Sequence, residues 1–240
     1  DLPDTTIRRC LDETTDTSAR GLFITLEGID GVGKSTQADL LAESLMQTGK
    51  ELVRLREPGG TAISEKIRTL LLDASNTDMA DECELLLYEA SRAQLVRQVI
   101  EPALARGAIV LCDRFYDSTF AYQAGGRGID EKVVRRANDL GSCGVVPTRT
   151  LIFDLEPAEA FQRATTNGAD RMEAEGAAFQ RRVREAYIRL SVAEPSRVHV
   201  VSAYGTIAQV HARTVADLCD LVPEIQEVKT FGLEVGAQDA

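Results

Sequence analysis

The sequence predicts an α/β fold in which a five-stranded parallel sheet carries helices on both faces. Short apolar segments alternate with longer stretches that have the periodicity of amphipathic helices. Such strand–helix–strand units join by right-handed crossovers, so the strands run parallel and the helices cover both sides. The predicted strands are Leu22–Leu26, Glu51–Leu55, Ala108–Cys112, Thr150–Leu155 and Val198–Ser202. The predicted helices lie near 34–48, 62–73, 80–106, 116–124, 130–140, 157–166, 175–194 and 206–221.

The composition is that of an ordinary globular chain with one main domain. Of the 240 residues, 27% are charged and 44% hydrophobic, which is enough to bury a full core. The net charge of −11 argues against an extended nucleic-acid-binding surface. No apolar run has membrane-spanning length, and the first residues do not resemble a signal peptide. From the charge and the absence of such runs, we expect neither a nucleic acid nor a membrane as a partner.

The cysteines indicate a reducing compartment. There are five, an odd number, with no C-x-x-C pair, and the two histidines add no zinc-ligand spacing. Cys112 ends an apolar strand pattern and is expected to be a small buried hydrophobic side chain. We therefore predict a cytoplasmic location.

The first predicted strand leads directly into a phosphate-binding pattern. Gly28, Gly33, Lys34 and Ser35 fit the spacing G-x-x-x-x-G-K-[ST], which wraps backbone N–H groups around the phosphates of a nucleoside triphosphate. The helix that begins near Lys34 would add its positive dipole end. A chance match is the alternative, but the flanking strand and helix patterns argue against it. The predicted ATP-binding residues are Gly28, Ile29, Asp30, Gly31, Val32, Gly33, Lys34, Ser35 and Thr36.

Charged residues also follow the second and third predicted strands. Arg56 opens the loop Arg-Glu-Pro-Gly-Gly-Thr and could bind a phosphate, although an ordinary turn with a surface arginine fits equally well. Asp113 closes a very apolar strand, at the position where a carboxylate would hold a hydrated Mg²⁺ beside Ser35. Arg114 could pair with Asp113 or bind a second anion. A purely structural ion pair is the alternative.

Three further segments are candidates for ligand binding. Tyr122 and Gln123 offer a ring and an amide suited to a sugar and a base edge, unless they only end a helix at the following glycines. Tyr88 and Arg92 share a helix face and could bind a base. Alternatively, Tyr88 packs in the core and the charged end of Arg92 extends to solvent. The polar, glycine-containing stretch from about 163 to 176 suits a mobile lid or a solvated surface loop.

Together these motifs, in this order from about Leu22 to Leu221, resemble the thymidylate kinase family. The combination of Arg56–Thr61 with Asp113–Arg114 and Tyr122–Gln123 is far more specific than a phosphate-binding loop alone. The resemblance implies a P-loop nucleoside monophosphate kinase fold that transfers the γ-phosphoryl of ATP to dTMP with Mg²⁺. It also implies a homodimer, for which the apolar helix near 80–106 is a candidate interface.

The resemblance assigns roles to individual residues. Asp30 matches the carboxylate that receives the deoxyribose 3′-hydroxyl, while Arg56 and Arg114 match the groups that hold the acceptor phosphate. Tyr88 stands where the family places an aromatic ring, often Phe, on the thymine face. The full predicted dTMP-binding set is Asp30, Arg56, Tyr88, Arg92, Arg114, Thr119, Tyr122 and Gln123. Ser35 and Asp113 are the predicted metal ligands.

The family differs internally in where its catalytic arginine sits. Gly31 occupies the position of that arginine in one class, so the resemblance moves the role to the lid, as in many bacterial enzymes. Asn167 stands where bacterial lids often carry a further arginine. The predicted catalytic residues are Lys34, Asp30, Arg114 and Arg171, and the predicted lid residues are Arg163, Arg171 and Glu173. The domain organisation is a polar tail at 1–20, a kinase domain at 21–222 with its lid at about 163–176, and an extension at 223–240.

Two other functions remain open on the sequence. The chain could phosphorylate another nucleoside monophosphate or a deoxynucleoside, or it could be a non-catalytic nucleotide-binding module. A neutral nucleoside is disfavoured as the acceptor, because it has no phosphate for Arg56 and Arg114 to hold. An intact Lys34, Ser35 and Asp113 disfavour a module without catalysis.

Overall fold

A five-stranded parallel sheet forms the centre of this computed structural model, which describes residues 20–164, 172 and 175–227. The strand order is β2-β3-β1-β4-β5, which confirms the predicted parallel sheet. Leu26 of β1 pairs in register with Asp113 of β3 on one side and with Leu151 of β4 on the other. The strands are β1 Phe23–Glu27, β2 Leu52–Arg56, β3 Ile109–Asp113, β4 Arg149–Asp154 and β5 Val198–Ser202.

Helices connect the strands, as the alternating pattern predicts. The predicted helix near 80–106 contains a π-helical stretch at Val96–Ile100, and the one near 116–124 continues into a second stretch at Phe120–Gly126. The apolar periodicity reveals neither. The α-helices are α1 Lys34–Gln47, α2 Ala62–Leu72, α3 Asp81–Leu95, α4 Glu101–Ala105, α5 Tyr116–Thr119, α6 Glu131–Gly141, α7 Pro157–Ala164, α8 Ala177–Ala193 and α9 Ile207–Leu218.

The three central strands of the sheet, β3, β1 and β4, are buried on both faces. Ile24 and Leu111 pack into one apolar cluster, and Phe23 and Val110 pack into the cluster on the other face. This arrangement follows from the strand alternation, because successive side chains point to opposite sides of the sheet. Cys112 is fully buried, as expected for a small hydrophobic side chain.

The carboxyl ends of β1, β2 and β3 lie at one edge of the sheet. Because β3 sits between β1 and β2, the loops that follow all three strands converge there. At the end of the described chain, a 3₁₀ helix spans Pro223–Glu227 and buries Ile225 in the core. The predicted tail, apart from Arg20, and most of the predicted extension lie outside the described residues. Within the described part, no helix combines the length and apolar character needed to cross a membrane.

Candidate active site

The loop between β1 and α1 has the backbone of a phosphate-binding loop. Gly28, Gly31 and Gly33 have φ angles of 134°, 81° and 90°, which side chains rarely allow. A Cβ at Gly28 would also lie 2.6 Å from the carbonyl oxygen of Phe153. No side chain caps the N-terminus of α1, so its first N–H groups face the loop. The sequence pattern and the loop conformation therefore both favour anion binding.

Lys34 is held inside this loop. Its Nζ donates a hydrogen bond to the carbonyl oxygen of Ile29 at 2.8 Å and lies 3.9 Å from Oδ1 of Asp30. Burial and the nearby Arg114 lower the pKa of Lys34 to about 8, although Asp30 and Asp113 oppose the shift. A buried cation with few fixed partners is well suited to receive phosphate oxygens.

Ser35 and Asp113 form the pair expected of magnesium ligands. Ser35 Oγ lies 3.4 Å from Oδ2 of Asp113, so β3 brings its carboxylate to the start of α1. The other oxygen of Asp113 is buried and has no hydrogen-bond partner among the described residues. A hydroxyl beside a carboxylate with an unused buried oxygen fits Mg²⁺, which prefers oxygen ligands and keeps water and phosphate oxygens in its shell.

Arg114 lies between the phosphate-binding loop and the rest of the cleft. It pairs with Asp30, and Tyr122 donates a hydrogen bond to the other Asp30 oxygen at 3.1 Å. Burial opposes ionisation of Asp30, but Arg114 and Lys34 outweigh it and hold the pKa of Asp30 below its usual value. The backbone φ of Arg114 is 71°, an unusual value for a residue other than glycine. Such strained residues concentrate at functional sites.

Arg56 lies at the end of β2 on the same edge of the sheet. Its guanidinium donates to the carbonyl oxygen of Pro58 at 2.8 Å and to Glu65 at 3.0 Å. The Glu65 carboxylate also accepts from the N–H of Gly60, which folds the loop after β2 back onto α2. About half of the Arg56 side chain is exposed, so it retains access to the cleft.

Arg92 forms a second buried polar cluster that borders the cleft. It is 1% exposed, and it donates to Glu57, to Glu89 and to Thr119. Burial raises the pKa of Glu57 to about 7, although Arg92 opposes this shift. The cluster fixes the plane of the Arg92 guanidinium against the ring of Phe115. The sequence indicates Arg92 and Thr119 as site residues but gives no sign of the two carboxylates.

Gln123 is held in the same region by α3. Its amide donates to Glu84 at 2.8 Å, and Glu84 also accepts from Arg127. Gln123 is 1% exposed. Glu84 therefore orients the amide that the sequence assigns to the nucleoside pocket.

One cleft of about 830 Å³ gathers most of the predicted site residues. It joins the phosphate-binding loop to Arg56, to the Arg92 cluster and to Arg163, which donates to the carbonyl oxygen of Ala203. Gly28 and Ile29 lie in the loop without lining the cleft. Arg171 and Glu173 fall outside the described residues. The predicted residues that line it are Asp30, Gly31, Val32, Gly33, Lys34, Ser35, Thr36, Arg56, Tyr88, Arg92, Asp113, Arg114, Thr119, Tyr122, Gln123 and Arg163.

The comparisons with known proteins agree with the geometry. The sequence model described as Thymidylate kinase matches residues 26–214. A thymidylate kinase of Desulfosudis oleivorans is 48% identical over 212 residues, which cover 85% of this chain and 99% of the relative. One from Ectopseudomonas mendocina is 48% identical over 208 residues, covering 86% and 97%.

A solved structure gives the same result for the fold. The crystal structure of thymidylate kinase from Ehrlichia chaffeensis superposes with a TM-score of 0.66 at 36% identity, covering 83% of this chain and 98% of the other. With a phosphate-binding loop, a family model that matches residues 26–214 and relatives matched over almost their full length, this chain belongs to the thymidylate kinase family.

Proposed function

We propose that the cleft carries out the family's reaction, the transfer of the γ-phosphoryl of ATP to dTMP to give dTDP, with the residue roles set out below. The observation that carries this assignment is the Arg114–Asp30 pair. It joins the loop that would hold the donor phosphates to the half of the cleft that would hold the acceptor. One residue of the phosphate-binding loop thus belongs to both sites.

On the donor side, the backbone N–H groups of the loop and Lys34 bind the triphosphate. Ser35 and Asp113 would hold Mg²⁺, which when bound neutralises charge on the phosphate oxygens. Lys34 adds a positive charge next to the same oxygens. Burial lowers the pKa of Lys34 to about 8, and the negative charge of a bound phosphate would raise that pKa and keep Lys34 protonated.

On the acceptor side, Arg56 and Arg114 hold the phosphate of dTMP, and Asp30 accepts a hydrogen bond from the 3′-hydroxyl. Tyr88 covers the face of the base, while Arg92 and Gln123 contact its edge. Tyr122 stands beside Asp30 and leaves little room for a 2′-hydroxyl. Thr119 completes the pocket by accepting one N–H of Arg92.

The chemistry requires positioning and charge neutralisation rather than a protein nucleophile. An oxygen of the dTMP phosphate attacks the γ-phosphorus in line, and the bond to the β,γ-bridging oxygen of ATP breaks. Lys34 and Arg114 stabilise the charge that spreads over the transferring group. We assign the remaining positive charge to Arg171 of the lid, with Arg163 in support.

A panel of acceptors tests this function. ATP consumption is measured with dTMP, dUMP, dCMP, AMP and thymidine at equal concentrations. We expect dTMP to be the preferred acceptor, with thymidine inactive because it offers no phosphate to Arg56 and Arg114. A preference for thymidine or AMP, or no turnover with any acceptor, would overturn the proposal.

We also propose a cytoplasmic homodimer. Among the described residues, Cys83, Cys112, Cys143 and Cys219 are free thiols, which fits a reducing compartment. Leu86 of α3 and Leu140 of α6 are 64% and 79% exposed, and α3 packs against α6. This apolar surface is the proposed dimer contact. Sedimentation that gives a monomer mass at micromolar concentration would exclude it.

A further inference from the structure

Beneath Arg114 lies a buried hydrogen-bond network built on Glu27 and Tyr187, neither of which lines the cleft. Glu27, the last residue of β1, is fully buried in a segment that is otherwise apolar or neutral. Its carboxylate accepts from the N–H of Phe115 at 2.7 Å, and it lies 2.5 Å from Ser118 Oγ and 2.8 Å from the Tyr187 hydroxyl. Burying a carboxyl group costs free energy on folding, so a fully buried glutamate at this position indicates a functional role.

The same two hydroxyl groups contact Arg114. Its Nη1 donates to Ser118 Oγ at 3.1 Å and lies 3.5 Å from the Tyr187 hydroxyl. Ser118 and Tyr187 are 2.8 Å apart, so they support each other as well as the guanidinium. Glu27 therefore reaches Arg114 through two side chains from α5 and α8.

The opposite side of Arg114 faces the acceptor half of the cleft. There Nη2 contacts Tyr122 and Asp30, and the guanidinium lies over the Tyr122 ring at 5.0 Å. The ring of Tyr187 packs edge-on against Tyr122 at 6.4 Å. Arg114 is thus held from below by the Glu27 network and from above by the groups proposed to meet dTMP.

We propose that Glu27 and Tyr187 are positioning residues for Arg114, which they hold through Ser118 in the orientation that binds the acceptor phosphate. The backbone of Arg114 provides an independent argument. Its φ of 71° persists only where the surroundings determine the conformation. The inference rests on the proposed role of Arg114 in the acceptor site.

Tyr187→Phe is the sharpest test, because it removes one hydroxyl and keeps the ring against Tyr122. We expect the KM for dTMP to rise roughly tenfold, since a hydrogen bond next to a charged group is lost. The KM for ATP should stay within about twofold, because the hydroxyl touches no group of the donor site. Tyr116→Phe is the matched control, since the Tyr116 hydroxyl lies outside the network, and it should change neither constant.

Two variants of Glu27 separate positioning from simple structural support. Glu27→Ala should raise the KM for dTMP as Tyr187→Phe does. Glu27→Gln keeps the shape of the side chain, an acceptor for Phe115 and donors for the two hydroxyls, so it should restore nearly normal kinetics. Tyr187→Phe combined with Arg114→Lys should be no worse than Arg114→Lys alone, because both act through one contact.

The outcomes separate this inference from the proposed function. If the unmodified protein does not phosphorylate dTMP, the proposed function fails. If it does, and Tyr187→Phe lowers only the melting temperature or raises both KM values equally, the network is structural and the inference fails. An additive double variant would overturn it as well.

Discussion

Arg114 and Asp30 form an ion pair between the end of β3 and the phosphate-binding loop, 84 positions apart in the chain. Each residue comes from a segment that the sequence marks by itself, one by a glycine pattern and the other by an apolar strand. In the proposed function, this pair makes the phosphate-binding loop part of the acceptor site as well as of the ATP site.

This relationship predicts the effect of Asp30→Asn. The variant keeps the shape of the side chain but loses the charge that orients Arg114 and the strong acceptor for the 3′-hydroxyl. We expect the KM for dTMP to rise at least about tenfold. ATP affinity, measured by calorimetry without dTMP, should change by less than about threefold. Equal losses of both ligands would indicate damage to the loop instead.

Arg92 should be essential to folding as well as to the base pocket. Arg92→Leu leaves Glu57 and Glu89 buried without their cation, which typically costs about 3–5 kcal/mol. The loss of stability, measured by urea unfolding without ligands, should be smaller at pH 5 than at pH 8, because burial raises the pKa of Glu57 and its carboxyl group is protonated at pH 5.

The control for this prediction is Arg97→Ala. Arg97 pairs with Glu101 on the surface, where about half of the arginine side chain is exposed. Its removal should cost less than about 1 kcal/mol at either pH. A cost for Arg92→Leu no larger than this would show that the buried cluster does not stabilise the fold.

Much of this site is predictable from the sequence, and the missing part has a physical explanation. Asp113 and Arg114 directly follow one strand pattern, and Lys34 and Ser35 follow the glycine loop after another, so parallel topology places all four at one edge of the sheet. Glu57 and Arg92 meet across 35 positions, which no periodicity reveals.

The network below Arg114 shows the same contrast. Glu27 does leave a signal, since a carboxylate at the end of an apolar strand is unexpected. Tyr187 leaves none, because an aromatic residue on an amphipathic helix normally belongs to the core. The π-helical stretches are equally hidden, because the apolar pattern around them is that of an ordinary helix.

Glu27 should make stability depend on pH. Burial, and then the nearby Asp117, raise its pKa from 4.5 to about 7, although Ser118, Arg114 and Tyr187 oppose the shift. Glu27, Ser118 and Tyr187 form three O···O contacts, and each contact needs one hydrogen atom to be a hydrogen bond. The two hydroxyl groups supply only two. A proton on the carboxyl group supplies the third.

The sign of the effect follows from proton binding. Between pH 4.5 and 7 the folded protein keeps a proton on Glu27 that the unfolded chain has lost, so stability falls as the pH rises. Above pH 7, this loss in the free energy of unfolding reaches roughly 3 kcal/mol. Glu27→Gln removes it, so the variant should gain stability relative to the parent between pH 5 and pH 8 in urea unfolding. A difference that does not change with pH would contradict the assignment.

In the proposed mechanism, Arg171 of the lid stabilises the transferring phosphoryl group. Gly31 gives the phosphate-binding loop no arginine of its own, and Arg163 is already engaged with the carbonyl oxygen of Ala203. Arg171→Ala should therefore lower kcat by about 10³-fold or more, the usual contribution of such an arginine, while dTMP affinity changes little. Arg163→Ala should have a smaller effect, and Arg181→Ala, at an exposed position on α8, should have none. Turnover of Arg171→Ala within tenfold of the parent would assign the role to another residue, and a large loss in Arg163→Ala would identify that residue.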